Sequence, residues 1–467
     1  MRPQSLLRTL NTWQVGLIML AVIAAFAAGT SGLVYPSMYS PLIIGAFTAA
    51  VVTLVAWFLK PVWALYAALF VVLLPIGLIP PQVHSILNRS MTVIALGVWL
   101  FDVITRRRRV VWTSSASLML GFVTWGTVTL FWTAGLSVGM TALQAYALRL
   151  ILYLILVANE IRTEEDLDGL MNTLALNGWV LVLVGAGVVL LEGYKPGTRL
   201  QVLDMNENAF GISALVTMPG VLWQAMRTSG QQKAVRMLLS FIFVSLTLVL
   251  VALTGSRGSA ISLLIPLSVF WLWKPTRPWG KLGLLILVLA AITAPFIFLT
   301  VLERFAVEPG DTLLGGREAL WQAVWPLILD HIWRGVGIGN SPYAVMPYLE
   351  RLGSVWAYER AAIHNPVLAI WAETGVLGSL LYLGVLGSSV WLFVRQYQRH
   401  RKAGVHCFMP YFALVSSIFL GYMPSWVKGG GMESDITYFL MLALLVVPSH
   451  LDVAGPECAA RNGAGGK

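Results

Sequence analysis

A histidine, His364, stands with Asn365 and Pro366 at the end of a long polar stretch in an otherwise apolar chain. Three arginines precede it in glycine-bearing turns: Arg199 in Gly197-Thr198-Arg199, Arg257 in Thr254-Gly255-Ser256-Arg257-Gly258-Ser259, and Arg317 after Gly315-Gly316. An imidazole with an ordinary pKa of about 6.5 can take a proton from a hydroxyl group. A guanidinium fork matches phosphate oxygens, glycines let the backbone approach a ligand, and the amides at a helix start favour an anion. A base collected with such cations suits chemistry on an anionic, lipid-linked substrate. Taken singly, each residue also has a plainer reading. A lone histidine is more often structural, Arg257 can snorkel to headgroups, and Arg317 can pair with Glu318.

Further residues belong to the same candidate set. Arg149 falls inside an apolar run, and an arginine within the membrane is costly enough to mark a site or cavity. Asn206 and Asn208 follow Arg199. Glu318 is the second choice of base, although an ion-paired carboxylate is the weaker one. Asn365 can orient His364 or bind substrate, and Glu373 lies nine residues further along the same expected helix. Metal signals are poor: there is no HExxH and no paired-cysteine spacing, and Glu433-Ser434-Asp435 reads first as a helix cap. Gly335-x-Gly337-x-Gly339 lacks the βαβ surroundings of a dinucleotide site.

The elements that must position these groups are membrane helices. The 467 residues are 58% hydrophobic and only 11% charged, well below the roughly 25% charge of a soluble domain. Apolar runs of helix length, without strand alternation, exclude an outer-membrane barrel. Two cysteines, one near an inner boundary and one in the tail, make a structural disulfide unexpected. Helices are expected near 13–34, 38–58, 61–80, 91–105, 115–135, 141–158, 171–192, 208–226, 236–254, 258–273, 281–301, 366–395, 406–424 and 435–449. Fusing marginal spans gives about twelve. The first apolar run is read as a retained helix.

The net charge of +10 is explained by inner loops, with no nucleic acid implied. Arg106 to Arg109, Arg162, Arg227, Arg236, Lys274 and Arg395 to Lys402 gather on one side, whereas short loops on the other hold only Arg89, Lys195, Arg199, Arg257 and Lys428. Both termini therefore face the cytoplasm. The chain divides into N-terminal membrane helices over 1–301, an outer loop region over 302–365, C-terminal membrane helices over 366–450 and a tail over 451–467. Within the loop, Arg317, Glu318, Trp321, Trp325 and Leu329 have amphipathic helical spacing, with Pro326 as a candidate kink. Its tryptophans favour the headgroup zone, so the loop is expected to lie on the membrane.

The ordered set Thr254-Gly255-Ser256-Arg257-Gly258, Gly315-Gly316-Arg317 with Trp321, Gly335-Val336-Gly337-Ile338-Gly339-Asn340, and His364-Asn365 with Glu373, Gly375 and Gly378 resembles the O-antigen ligase and polymerase superfamily. The resemblance covers mainly residues 195–380 and is greatest to its lipid A-core:surface polymer ligases. It implies an all-α polytopic protein of the GT-C-like type, with about twelve membrane helices and one large periplasmic loop, in the inner membrane of a Gram-negative bacterium. The implied reaction moves O-antigen polysaccharide from undecaprenyl pyrophosphate to a sugar hydroxyl of lipid A-core. It is inverting, independent of metal and without a cofactor. The family's outer-loop histidine then corresponds to His364 and its outer arginines to Arg199, Arg257 and Arg317. Asn206 and Asn208 match a looser asparagine-bearing stretch, at a spacing that departs from the pattern. O-antigen polymerase and protein O-oligosaccharyltransferase of the same superfamily remain alternatives. So does a transporter of lipid-linked saccharide, although transporters place ionisable groups near the midplane on broken helices.

Overall fold

The apolar runs fold as helices, several of which start at side-chain caps. The computed structural model describes residues 53–54, 56–75, 77–106, 109–193, 199–203, 205–228, 230–274, 276–293, 317–353, 362–404, 408–429 and 436–449. In chain order the longer helices are α1 (Val62–Val72), α2 (Pro81–Arg106), α3 (Ser114–Thr129) and α4 (Leu136–Glu160). They continue as α5 (Glu164–Glu192), α6 (Glu207–Arg227), α7 (Gln231–Thr254), α8 (Arg257–Leu272) and α9 (Arg277–Thr293). The last are α10 (Arg317–Asp330), α11 (Pro366–Lys402), α12 (Met409–Val427) and α13 (Ile436–Val446). Among the described residues, α2, α4, α5, α6, α7 and α11 are long and apolar enough to cross a membrane, which makes this a multi-pass, all-α membrane protein. The spans expected near 13–34 and for most of 38–58, the tail, and the Glu433-Asp435 pair lie outside the described residues.

Local chemistry sets the helix boundaries. Thr163 opens α5 with a capping box, its hydroxyl accepting from the Asp166 amide while the Asp166 carboxylate accepts from the Thr163 amide. Thr113, Asn206, Ser256 and Asn365 cap α3, α6, α8 and α11 through side-chain oxygens. Gly255 closes α7 at φ +61, ψ +19, a left-handed position that a glycine takes without strain.

Lipid offers no hydrophobic force between helices, so close packing of small residues and interhelical hydrogen bonds hold such a bundle. Gly421 of α12 lies against Pro266 and Ser262 of α8, Gly211 of α6 against Ser259 of α8, and Gly220 of α6 against the α5 backbone. Ser262 and Ser425 share a 2.6 Å hydrogen bond, and Ser389 of α11 donates to Ser115 of α3 at 2.9 Å. At the centre, Tyr438 of α13 is sandwiched between Trp426 and Tyr382, at ring separations of 5.3 and 5.4 Å. Offset ring stacking of this kind adds about 0.5–1.5 kcal/mol per pair beyond area burial.

The antiparallel alternation of the spans brings the starts of α6, α8 and α11 and the ends of α7 and α12 to one end of the bundle. At that end the Leu200 amide donates to the Leu253 carbonyl, and Ser425 of α12 reaches the Gly258 carbonyl. α10 follows in the loop region at the same end. It buries Leu320, Ala323, Val324, Leu327 and Ile328 against Val345, Leu349, Ile363, Ala369 and Ala372. The helix runs through Pro326, and Trp325, Leu329 and Trp333 face outward. The stripe read from spacing is thus split. Trp321 turns toward the protein, because the start of α11 packs beside it, and Trp325 and Leu329 stay on the open side.

Candidate active site

His364 is held in an unusual backbone state. Its φ is +52, a left-handed value uncommon outside glycine, where asparagine, aspartate and histidine are the commonest exceptions. The strain is sustained from both sides. After it, Asn365 uses its side-chain oxygen to accept from the Val367 and Leu368 amides at 3.1 and 3.2 Å. Before it, the carbonyl of Ile363 accepts from the indole N–H of Trp321 at 3.1 Å. Pro366 at the first helical position then starts α11 with its φ already suited to a helix.

Arg317, the first residue of α10, faces the same place. The His364 imidazole is pushed below its usual pKa of 6.5, first by burial and then by the positive charge of Arg317. Burial in turn lowers the pKa of the Arg317 guanidinium, which still stays charged at neutral pH. Among the described residues no carboxylate forms an ion pair with Arg317. The pair is therefore a half-buried cation near an imidazole whose protonated form is disfavoured first by burial and then by that cation. Such an arrangement can present a proton acceptor and an anion site together.

Arg257 opens α8 in a second polar group. Ser256 caps that helix by accepting from the Ser259 amide at 3.1 Å, and its hydroxyl lies 2.5 Å from the Asn208 side-chain oxygen. Asn206 caps α6 through the Asn208 amide at 2.8 Å. Arg199 lies 3.9 Å from Glu207, whose other neighbour is Gln201. The loop before α6, the α7–α8 turn and the end of α12 thus meet where Arg199, Asn206, Asn208 and Arg257 were expected to act. Glu207 was absent from the sequence expectations, although its place one residue after a capping asparagine signals a first-turn acid. Ser256 also gave a signal, as a serine immediately before a helix start.

Arg149 and Glu373 sit elsewhere. Arg149 is 7% exposed within the α4 span, immediately before a π-helical segment, Leu150–Leu156. It is inside the bundle, as expected of an intramembrane arginine. Glu373 lies at a break in α11. Gly375 there has φ +66, ψ −169, a conformation open essentially to glycine alone, and an added Cβ would collide with the Trp333 carbonyl. The carbonyls released by the break are taken up again. Val336 and Gly337 amides donate to Ala372 and Glu373 at 2.9 Å, and the Trp125 indole donates to Thr374 at 2.7 Å. The Glu373 carboxylate accepts from the Gly339 amide at 2.8 Å and the Ser341 hydroxyl at 2.6 Å. The glycine run at 335–339 is a seam joining loop to helix, and Glu373 is its clasp.

Residues 242–383 match the family model described as O-Antigen ligase. The match spans Arg257, Arg317, His364, Glu373 and the glycine seam. No curated protein matches the chain.

Proposed function

We propose that this chain is a glycosyltransferase that moves O-antigen polysaccharide from undecaprenyl pyrophosphate onto a sugar hydroxyl of lipid A-core at the periplasmic face of the inner membrane. The observation that carries this reading is a half-buried imidazole, held at a left-handed turn at the loop end of α11 and within electrostatic reach of the half-buried Arg317. The acceptor hydroxyl gives its proton to His364 as its oxygen attacks the anomeric carbon. The bond from that carbon to the pyrophosphate oxygen breaks, and the electron pair leaves with the pyrophosphate. Attack opposite the leaving group inverts the anomeric centre.

The donor is already activated, so the residues need only supply a base and charge. A guanidinium about 4 Å from the developing charge contributes on the order of 4 kcal/mol at an effective dielectric near 20, before desolvation. Arg257 and Arg317 hold the pyrophosphate in this reading, with Arg199 or Arg149 assisting, so that fixed cations stabilise the leaving group. Arg317 leaves more of His364 unprotonated at neutral pH and so available as a proton acceptor, at some cost to its strength as a base, a cost that the charge of the bound pyrophosphate offsets.

The test is glycosyl transfer by purified full-length protein in vesicles given lipid-linked O-antigen and lipid A-core. His364→Ala should lower turnover by about 10²–10⁴-fold while donor binding largely remains. Full activity in that variant removes the base assignment. In cells, loss of a ligase leaves long polymer on the carrier lipid, whereas loss of a polymerase leaves core capped with single repeats. The second pattern would move the assignment to the polymerase branch.

A further inference from the structure

α10 and α11 begin far apart in sequence, yet Trp321 and Ile363, 42 residues apart, join them through the indole N–H and a main-chain carbonyl. Trp321 lies one helical turn after Arg317, on the face of α10 turned toward the start of α11. The carbonyl it binds belongs to the peptide that enters His364, so the bond fixes the peptide plane bordering the +52° torsion. Ile363 itself is buried in the cluster that packs α10 against α11. Trp321 is only part-exposed and its polar atom is engaged inward, unlike Trp325 and Trp333, which face outward. Its indole therefore does something other than anchor the loop at a headgroup boundary.

We infer that Trp321 is a positioning residue for glycosyl transfer: its hydrogen bond to the Ile363 carbonyl holds His364 in the left-handed turn that sets the imidazole beside Arg317. The inference rests on the reading of His364 as the base. Removing the bond while keeping the ring releases the peptide plane, lets His364 relax toward an ordinary torsion and draws the imidazole away from Arg317. Binding of the donor, which this reading gives to the arginines, is left nearly untouched.

The experiment compares Trp321→Phe with Leu327→Ala, a cavity in the same packed cluster that leaves the indole bond intact. Full-length protein carrying labelled histidine is titrated by NMR, with the His364 signal identified by its loss in His364→Asn, and kcat and donor KM are measured in vesicles. In Trp321→Phe the His364 midpoint should rise toward 6.5 and kcat fall by about 10–100-fold, since a misplacement near 1 Å can cost that much, while donor KM stays within about twofold. Leu327→Ala should lower the melting temperature and leave the His364 titration at its parent position. An unchanged His364 titration in Trp321→Phe, or an equal shift in Leu327→Ala, overturns the inference. A midpoint that moves while kcat holds overturns the base assignment, and with it any catalytic role for Trp321. If Trp321→Phe does not accumulate folded, benzothienylalanine at 321 replaces the N–H by sulfur at nearly the same shape and carries the same expectations.

Discussion

At the scale of single residues, the proposed chemistry depends on a histidine that is neutral when it meets its substrate. Burial and Arg317 both lower its pKa, so the active, unprotonated form persists below pH 6.5. The acid limb of the kcat/KM profile should therefore have its midpoint below 6.5. In Arg317→Gln the limb should move upward but stop short of 6.5, because burial, the larger of the two causes, remains. A limb that does not move would mean that this cation does not act on the base. The same shift has a stability consequence of known sign. Between pH 6.5 and the lower folded value the unfolded chain binds the proton more readily, so protonation at this site disfavours folding as pH falls.

At the scale of elements, the site is built on two helix starts and a repaired helix break. α11 can be interrupted at Gly375 because loop amides and the Trp125 indole re-bond the freed carbonyls, which is the condition for irregular backbone inside a membrane protein. The interruption and the glycine seam depend on each other. Gly375→Ala forces a Cβ into the Trp333 carbonyl at a torsion closed to other residues, and should destabilise the fold by about 1–3 kcal/mol from the torsion and a similar amount from the clash. The measurement is a melting temperature for the detergent-purified variant, with an equivalent change at Gly387, where an added Cβ meets nothing within 4 Å, as the comparison. Equal melting temperatures would show that the seam does not hold the loop. Glu373 belongs to this element, where its carboxylate oxygens are engaged by the Gly339 amide and the Ser341 hydroxyl of the loop.

At the scale of the molecule, the spans gather the candidate groups at one end of a membrane bundle, with Arg149 inside it. If guanidinium groups supply the charge that a divalent ion supplies in other glycosyltransferases, transfer should survive chelation. Loss of turnover in EDTA, restored by a divalent ion, would shift attention to Glu433 and Asp435. Purified protein that moves lipid-linked glycan across a vesicle without forming a glycosidic bond would decide instead for transport, the reading that a buried Arg149 most invites.

Hydropathy by itself determined the fold class and roughly where the helices run, because it acts within a few residues, and α11 begins at Pro366 after its Asn365 cap as expected. Other ends moved, with α1 stopping at Val72 instead of near 80 and α2 starting at Pro81 instead of near 91. Residue type likewise marked His364, Arg257 and Arg317 as chemical candidates before any fold was known. Only the tertiary structure decided which arginine faces the histidine, that Trp321 turns inward to the Ile363 carbonyl, and that Gly335 to Gly339 closes a helix break. Those facts join segments separated by 34 to 249 residues, from Gly339–Glu373 to Trp125–Thr374. Periodicity and propensity are local, whereas such pairings follow the path of the chain through the bundle, and no spacing along the sequence encodes it.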